Sequence, residues 1–267
     1  MLRSPAVAGR FYSAAPEQLR NQVEQYIEKD QPRQPARALV CPHAGLIYSG
    51  PVAGAVYSRV QIPDTLLLIG PNHTGLGPPV SVYGNGGWTM PSGTISVDGG
   101  LAAAVLERCP LAESDTEAHQ FEHCIEVQLP FLHYFRPDVS IVPVIMMSID
   151  LRVCRQLGEA MASAIMDAGR PVLLIASTDM SHYEPDAVAR KKDQWAIDEI
   201  LSLDPVGLHR VIREKEISMC GFAPTVAALF AALRLGAKQA KLIKYMTSGE
   251  TGGDTNHVVG YAGLLIN

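Results

Sequence analysis

Two histidines stand directly after strand-like apolar runs. His43 follows Ala38-Leu39-Val40-Cys41-Pro42, and His73 follows Leu66-Leu67-Leu68-Ile69-Gly70-Pro71-Asn72. A buried strand that stops at Pro or Gly and then presents a His places an imidazole at the carboxyl edge of a sheet. That edge is where open α/β sheets bind ligands, and two such imidazoles begin a metal site. A third cluster, Glu122-His123-Cys124-Ile125-Glu126-Val127-Gln128, reads as the start of a helix, where carboxylates are favoured. A fourth, Asp179 with His182, comes directly after the apolar run Pro171 to Ala176. Cys220, in Met219-Cys220-Gly221-Phe222, reads as a loop-to-helix turn, where a helix N-terminus would stabilise a thiolate.

Each feature also has a plainer reading. A lone His at a strand end is commonly a hydrogen-bonded structural residue. Cys220 alone is a small core hydrophobe. Glu122 and Glu126, four apart, fit a solvated helix face, and Asp179 fits a helix cap. Coincidence favours chemistry, because three of the clusters fall at strand ends and parallel strands bring those ends to one side. His119, His133 and His209 lack such a setting and read as structural or surface residues, while His257 stays open.

The elements that must position these groups alternate. Helical spacing runs over Pro16 to Lys29, Pro51 to Val60, Gly100 to Arg108, Ile125 to Phe135, Leu151 to Ala168, Ala187 to Leu203, Val206 to Arg213 and Pro224 to Leu235. Strands are expected at Ala38 to Cys41, Thr65 to Ile69, Val139 to Met147, Pro171 to Ala176, Lys241 to Met246 and His257 to Ile266. The Gly-, Trp- and Pro-bearing stretch Val80 to Asp98 reads as a loop or an excursion of short strands. Such alternation implies an α/β fold, a three-layer α/β/α sandwich on a mostly parallel or mixed central sheet. No linker interrupts the chain, so residues 1–267 are expected to form a single domain.

Composition narrows the partners. The chain holds 22 Lys and Arg against 27 Asp and Glu, a formal net charge of -5, with no basic cluster in the sequence. Nucleic acid is therefore not an expected partner, and a small molecule is. No apolar run approaches about 18 residues, so no transmembrane helix is expected. Met1 to Val7 lacks the apolar core of a secretory signal. The five cysteines are scattered and odd in number, which points to a reducing cytoplasm and away from a disulfide framework or zinc ribbon.

Taken together, these motifs resemble the Memo-like family, the protein B type of the AmmeMemoRadiSam system. The resemblance rests on Pro42-His43-Ala44-Gly45, Gly70-Pro71-Asn72-His73, Glu122-His123 with Glu126 and Gln128-Leu129-Pro130, Ser177-Thr178-Asp179-Met180-Ser181-His182, Cys220-Gly221 and Val259-Gly260-Tyr261-Ala262. The opening Pro5-Ala6-Val7-Ala8-Gly9-Arg10-Phe11-Tyr12 matches too, so the likeness runs from Arg3 to the last strand. That family is similar in fold to class III extradiol ring-cleavage dioxygenases of the LigB type, which hold Fe(II) with two His and one Glu.

The resemblance implies that His43 and His73 are metal ligands and that Cys220 takes the third position. A soft thiolate there departs from the dioxygenase pattern and favours copper or zinc more than a carboxylate does. The expected cofactor is a divalent metal, Fe(II) first, with copper or zinc as alternatives. His182 and His123 are expected as acid/base groups, with Asp179 or Glu122 orienting an imidazole. The implied partners in a shared pathway are AMMECR-type and radical SAM proteins. Two functions follow: a non-haem metal-dependent oxidoreductase or dioxygenase-like enzyme acting on a small substrate, or a non-catalytic metal- or peptide-binding module that keeps a relic pocket. Hydrolysis with metal-activated water is a third.

Overall fold

Four apolar segments pair in parallel in the computed structural model, which describes residues 1–267. Ser140–Met146, Thr65–Pro71, Val172–Ser177 and Ala38–Cys41 lie side by side in that order. Apart from Ser140 they are buried along their whole length. Burial on both faces is why they read as continuous apolar runs rather than as alternation. Val258–Ile266 joins antiparallel to Ala38–Cys41, and Ala240–Thr247 pairs with its outer edge. On the opposite flank the 80–98 stretch resolves into Val80–Val82, Gly87–Met90 and Gly93–Val97, completing one mixed sheet.

Side-chain alternation divides the interior into two cores, as a pleated strand requires. Leu67, Ile69, Val40, Leu174 and Val144 face one side of the sheet, with helices Gly99–Arg108, Leu151–Asp167, Asp186–Leu201, Pro205–Glu214 and Phe222–Arg234. Leu66, Leu68, Leu39, Leu173 and Ile141 face the other, with helices Pro16–Tyr26, Leu46–Tyr57 and Leu129–Phe135. The architecture is the three-layer α/β/α sandwich expected from the sequence. No helix is long and apolar enough to cross a membrane.

Two helices depart from expectation. The one expected at Pro51 to Val60 runs over Leu46–Tyr57, with Pro51 inside it. The bond that Pro51 cannot donate would fall on the Ile47 carbonyl, and Ile47 is exposed, so water can take its place. The helix expected from Ile125 begins as a 3-10 turn, Glu126–Gln128, and turns α-helical at Leu129, with Pro130 in its first turn. Glu122 therefore precedes the helix instead of starting it. It lies in a loop after the short helix Glu117–Gln120, which periodicity does not reveal. The strand His182–Glu184, which pairs with the start of Val258–Ile266, is likewise too short to show in the sequence.

Register sets the functional edge. Cys41 lies beside Ser177, Ile69 beside Ala176, and Pro71 beside Met146. His43, His73 and Asp179, each two residues past its strand, thus leave the sheet on one side.

Candidate metal centre

At that edge His43, His73 and His123 converge, their candidate ligand atoms all within 4.8 Å of one another. The His73 and His123 rings stack with centroids 4.5 Å apart, and His43 meets both edge-on at 5.3 and 5.4 Å. The loop carrying His123 hangs over the strand ends because Glu122 ties it there. The Glu122 carboxylate accepts from His73 Nδ1 at 2.8 Å, from the His73 backbone N–H at 2.6 Å, and from the backbone N–H groups of His123 and Cys124 at 2.8 and 3.0 Å. It also lies 3.4 Å from His123 Nδ1. Its side chain is fully buried, so the solvated-face reading of Glu122 and Glu126 does not hold.

Glu126 serves a different purpose. It is buried against Arg3 at 2.6 Å and accepts from Ala6 N, Val7 N and Tyr12 Oη. Arg3 in turn donates to the main-chain oxygens of His119 and Glu122, both at 2.6 Å. The N-terminal segment is thereby strapped beneath the Glu122 loop, and the Phe11 ring rests edge-on against His123 at 4.9 Å.

The electrostatics follow from burial against charge. Burial would raise the Glu122 carboxyl, but the His73 hydrogen bond and the charges of His73 and His123 hold it down at about 2. Burial would lower His73, yet the Glu122 carboxylate outweighs it and His73 is raised. His43 is pushed down to about 3 by burial and by His73, and His123 to about 4 by burial and by His43. Two of the three imidazoles are therefore neutral across ordinary pH, which is the ligand form.

The sequence-derived residues fall into place unevenly. His123, expected as an acid/base group, occupies the third position of the histidine group. Cys220, expected there, has its Sγ 3.3 Å from His43 Nε2 but stands outside the shared space of the three rings. Its thiol is not activated as the helix-terminus argument suggested. Burial pushes its pKa up and the Asp179 charge adds to that. Asp179 touches no imidazole. Its Oδ1 accepts from the backbone N–H groups of His43 and Ala44 at 2.7 and 3.3 Å, and so shapes the turn that presents His43. His182 Nδ1 bonds to the Ser218 carbonyl at 2.9 Å, beside the Cys220 turn. His119 is buried with Nε2 on Ser81 Oγ, and His209 Nε2 meets the Ile149 carbonyl. Both are structural, as read, while His257 is exposed.

A donor-set test supports metal capacity. Metal–nitrogen bonds of about 2.0–2.1 Å in a tetrahedral site put ligand nitrogens about 3.3 Å apart. The candidate ligand atoms of the three histidines lie within 4.8 Å of one another, and the rings of His73 and His123 are partly open, 32% and 22% accessible. A ligand imidazole whose other nitrogen binds a buried carboxylate is the usual supporting arrangement at metal sites.

Comparison with known proteins identifies the family and the fold. The sequence profile of the family described as Memo-like protein matches residues 3–265. The chain is 43% identical to a MEMO1 family protein of Desulfurococcus amylolyticus, over 98% of both chains. It is 41% identical to the MEMO1 family protein MK0963 of Methanopyrus kandleri, over 99% of both. Among solved structures it shares the fold of the uncharacterized protein JW3007 from Escherichia coli K12, at a TM-score of 0.57 and 15% identity over 85% of this chain and 98% of that one. Matched by the family profile over residues 3–265 and more than 40% identical to these relatives over nearly the whole of both chains, the chain belongs to the Memo-like protein family.

Proposed function

We propose that this protein is a non-haem metal-dependent oxidoreductase acting on a small substrate. The carrying observation is three imidazoles around one space with a buried carboxylate behind two of them. His43, His73 and His123 would hold a divalent metal, Fe(II) first and copper or zinc after it, since imidazole suits all three. Cys220, against His43, is the fourth donor in reach. The donor set lacks the carboxylate ligand of the extradiol enzymes, which favours copper or zinc more than that pattern does. The bound metal would supply Lewis acidity and redox capacity.

The chain's own residues do the rest. Glu122 orients His73 and accepts its Nδ1 proton, and Asp179 fixes the main chain that presents His43. His182, held on the Ser218 carbonyl beside the Cys220 turn, would be the proton donor and acceptor for a bound substrate. The pathway partners implied by the family, AMMECR-type and radical SAM proteins, belong to this same proposal.

Anaerobic loading with Fe(II), Cu(II) and Zn(II), elemental analysis and O2 uptake with a panel of phenolic compounds test it. One metal per chain is expected. His123→Ala should reduce loading more than Cys220→Ala does, and His182→Ala should abolish uptake with metal retained. Metal bound with no uptake across the panel would favour a binding module instead. Metal retained by His123→Ala and lost by Cys220→Ala would overturn the ligand assignment.

A further inference from the structure

His43 differs from the other two histidines in what stands behind it. Its Nδ1 lies 2.9 Å from Ser177 Oγ, a neutral hydroxyl that could give or take a proton. The surrounding bonds remove that freedom. Ser177 Oγ has one proton, and it goes to the Cys124 carbonyl at 2.6 Å, an oxygen that can only accept. The two remaining hydroxyl sites must receive protons. One comes from Gln128 Nε2 at 2.9 Å. That amide cannot be turned round, because Nε2 also donates to the Pro42 carbonyl at 2.9 Å while Oε1 accepts from Tyr57 Oη at 2.8 Å. The only atom left to fill the last site is His43 Nδ1. Ser177, Gln128 and His43 are all buried to within 1% exposure, so water does not compete.

We infer that Ser177 is a positioning residue that locks His43 in its Nδ1–H tautomer, with Gln128 filling the other acceptor site of the hydroxyl, and leaves the Nε2 lone pair facing the candidate metal position. The relay runs from Tyr57 through Gln128 and Ser177 to His43 and carries no charge. Glu122 sets His73 by a different device, a carboxylate that accepts from Nδ1. Two of the three rings therefore present the same nitrogen, one held by a neutral relay and the other by an ionic bond. The distinction matters because a neutral relay adds no negative charge behind His43. In the metal-free chain the Cys220 S–H can donate to the same Nε2 at 3.3 Å, which the relay also requires to be bare.

The inference rests on the metal reading for its purpose but not for its test. Long-range 15N–1H correlation on the metal-free protein reads each tautomer directly from the two ring nitrogen shifts. Native His43 is expected as Nδ1–H, and Ser177→Ala should give a mixture or the Nε2–H form with the fold intact by circular dichroism. Gln128→Met, which keeps the volume but cannot donate, should leave Nδ1–H in place, because Ser177 still needs that proton. Zn(II) affinity should fall ten- to a hundredfold in Ser177→Ala. A native Nε2–H tautomer, or an unchanged Nδ1–H signature in Ser177→Ala, overturns the relay. Native Nδ1–H in a chain that binds no metal would leave the relay standing and sink the metal reading instead.

Discussion

Replacing Glu122 by Gln separates the orienting role of this carboxylate from the shape of its loop. The amide keeps one oxygen for the His73 Nδ1–H but puts an NH2 where the His73 backbone N–H is accepted at 2.6 Å, and it removes the charge. Loss of such a supporting carboxylate weakens metal binding by about ten- to a hundredfold, or about 1.4–2.7 kcal/mol. The fold should suffer too. A carboxyl held at about 2 in the folded chain, against 4.5 ordinarily, contributes up to about 3 kcal/mol. Because its pKa is lowered, that stability is fully present above the unfolded value and is lost as pH falls from about 4.5 towards 2.

Metal affinity has its own pH dependence. His73 is raised by Glu122, so its proton must leave before a metal can bind, and affinity declines as pH falls through its pKa. His43 and His123, at about 3 and 4, do not titrate in that window. Without the Glu122 charge and its charged hydrogen bond, His73 moves down, because burial is then opposed only by the smaller influence of the Asp179 charge. The variant's deficit should therefore be largest at high pH and shrink in mild acid. Competition titrations with Zn(II) and a chromophoric chelator from pH 5.5 to 8.5 measure this, with proton release followed in parallel. A Zn(II) affinity within threefold of native at pH 8, or a deficit of constant size across the range, refutes the reasoning.

Other perturbations probe the supports. Arg3→Met strands Glu126, a fully buried carboxylate, without its cation and should cost about 3–5 kcal/mol in urea unfolding; a loss below about 1 kcal/mol would contradict the strap. A Cβ at Gly70 would sit 2.4 Å from Cys124 Sγ, so Gly70→Ala should destabilise by about 1–3 kcal/mol, and Cys124→Ala in the same chain should recover most of it. Burial raises the Asp179 carboxyl, so its ionised form opposes folding more as pH rises through the folded pKa. Asp179→Asn should then raise Tm at pH 7 and lose the gain in acid, and an equal or lower Tm at pH 7 would argue against an ionisation penalty there.

The sequence by itself determined the layers and the edge. Doubly buried strands must be apolar throughout, so Ala38–Cys41, Thr65–Pro71 and Val172–Ser177 announced themselves, and chain stops after them put His43, His73 and Asp179 on one side. Pro51 misled because a proline is more at home in a first helical turn, and only packing left Ile47, the residue one turn before it, exposed. The motif around His123 was legible, but its position was not. Whether His123 or Cys220 stands in the shared space depends on how the Glu122 loop folds over the sheet. That fold is fixed by Glu122 bonds to residues 49 positions away and by Arg3 from 119 positions away. Such contacts leave no periodic trace. The tautomer of His43 is further removed still, because it hangs on the hydrogen-bond count of one buried serine among Cys124, Gln128 and His43, three residues that only the tertiary structure brings together.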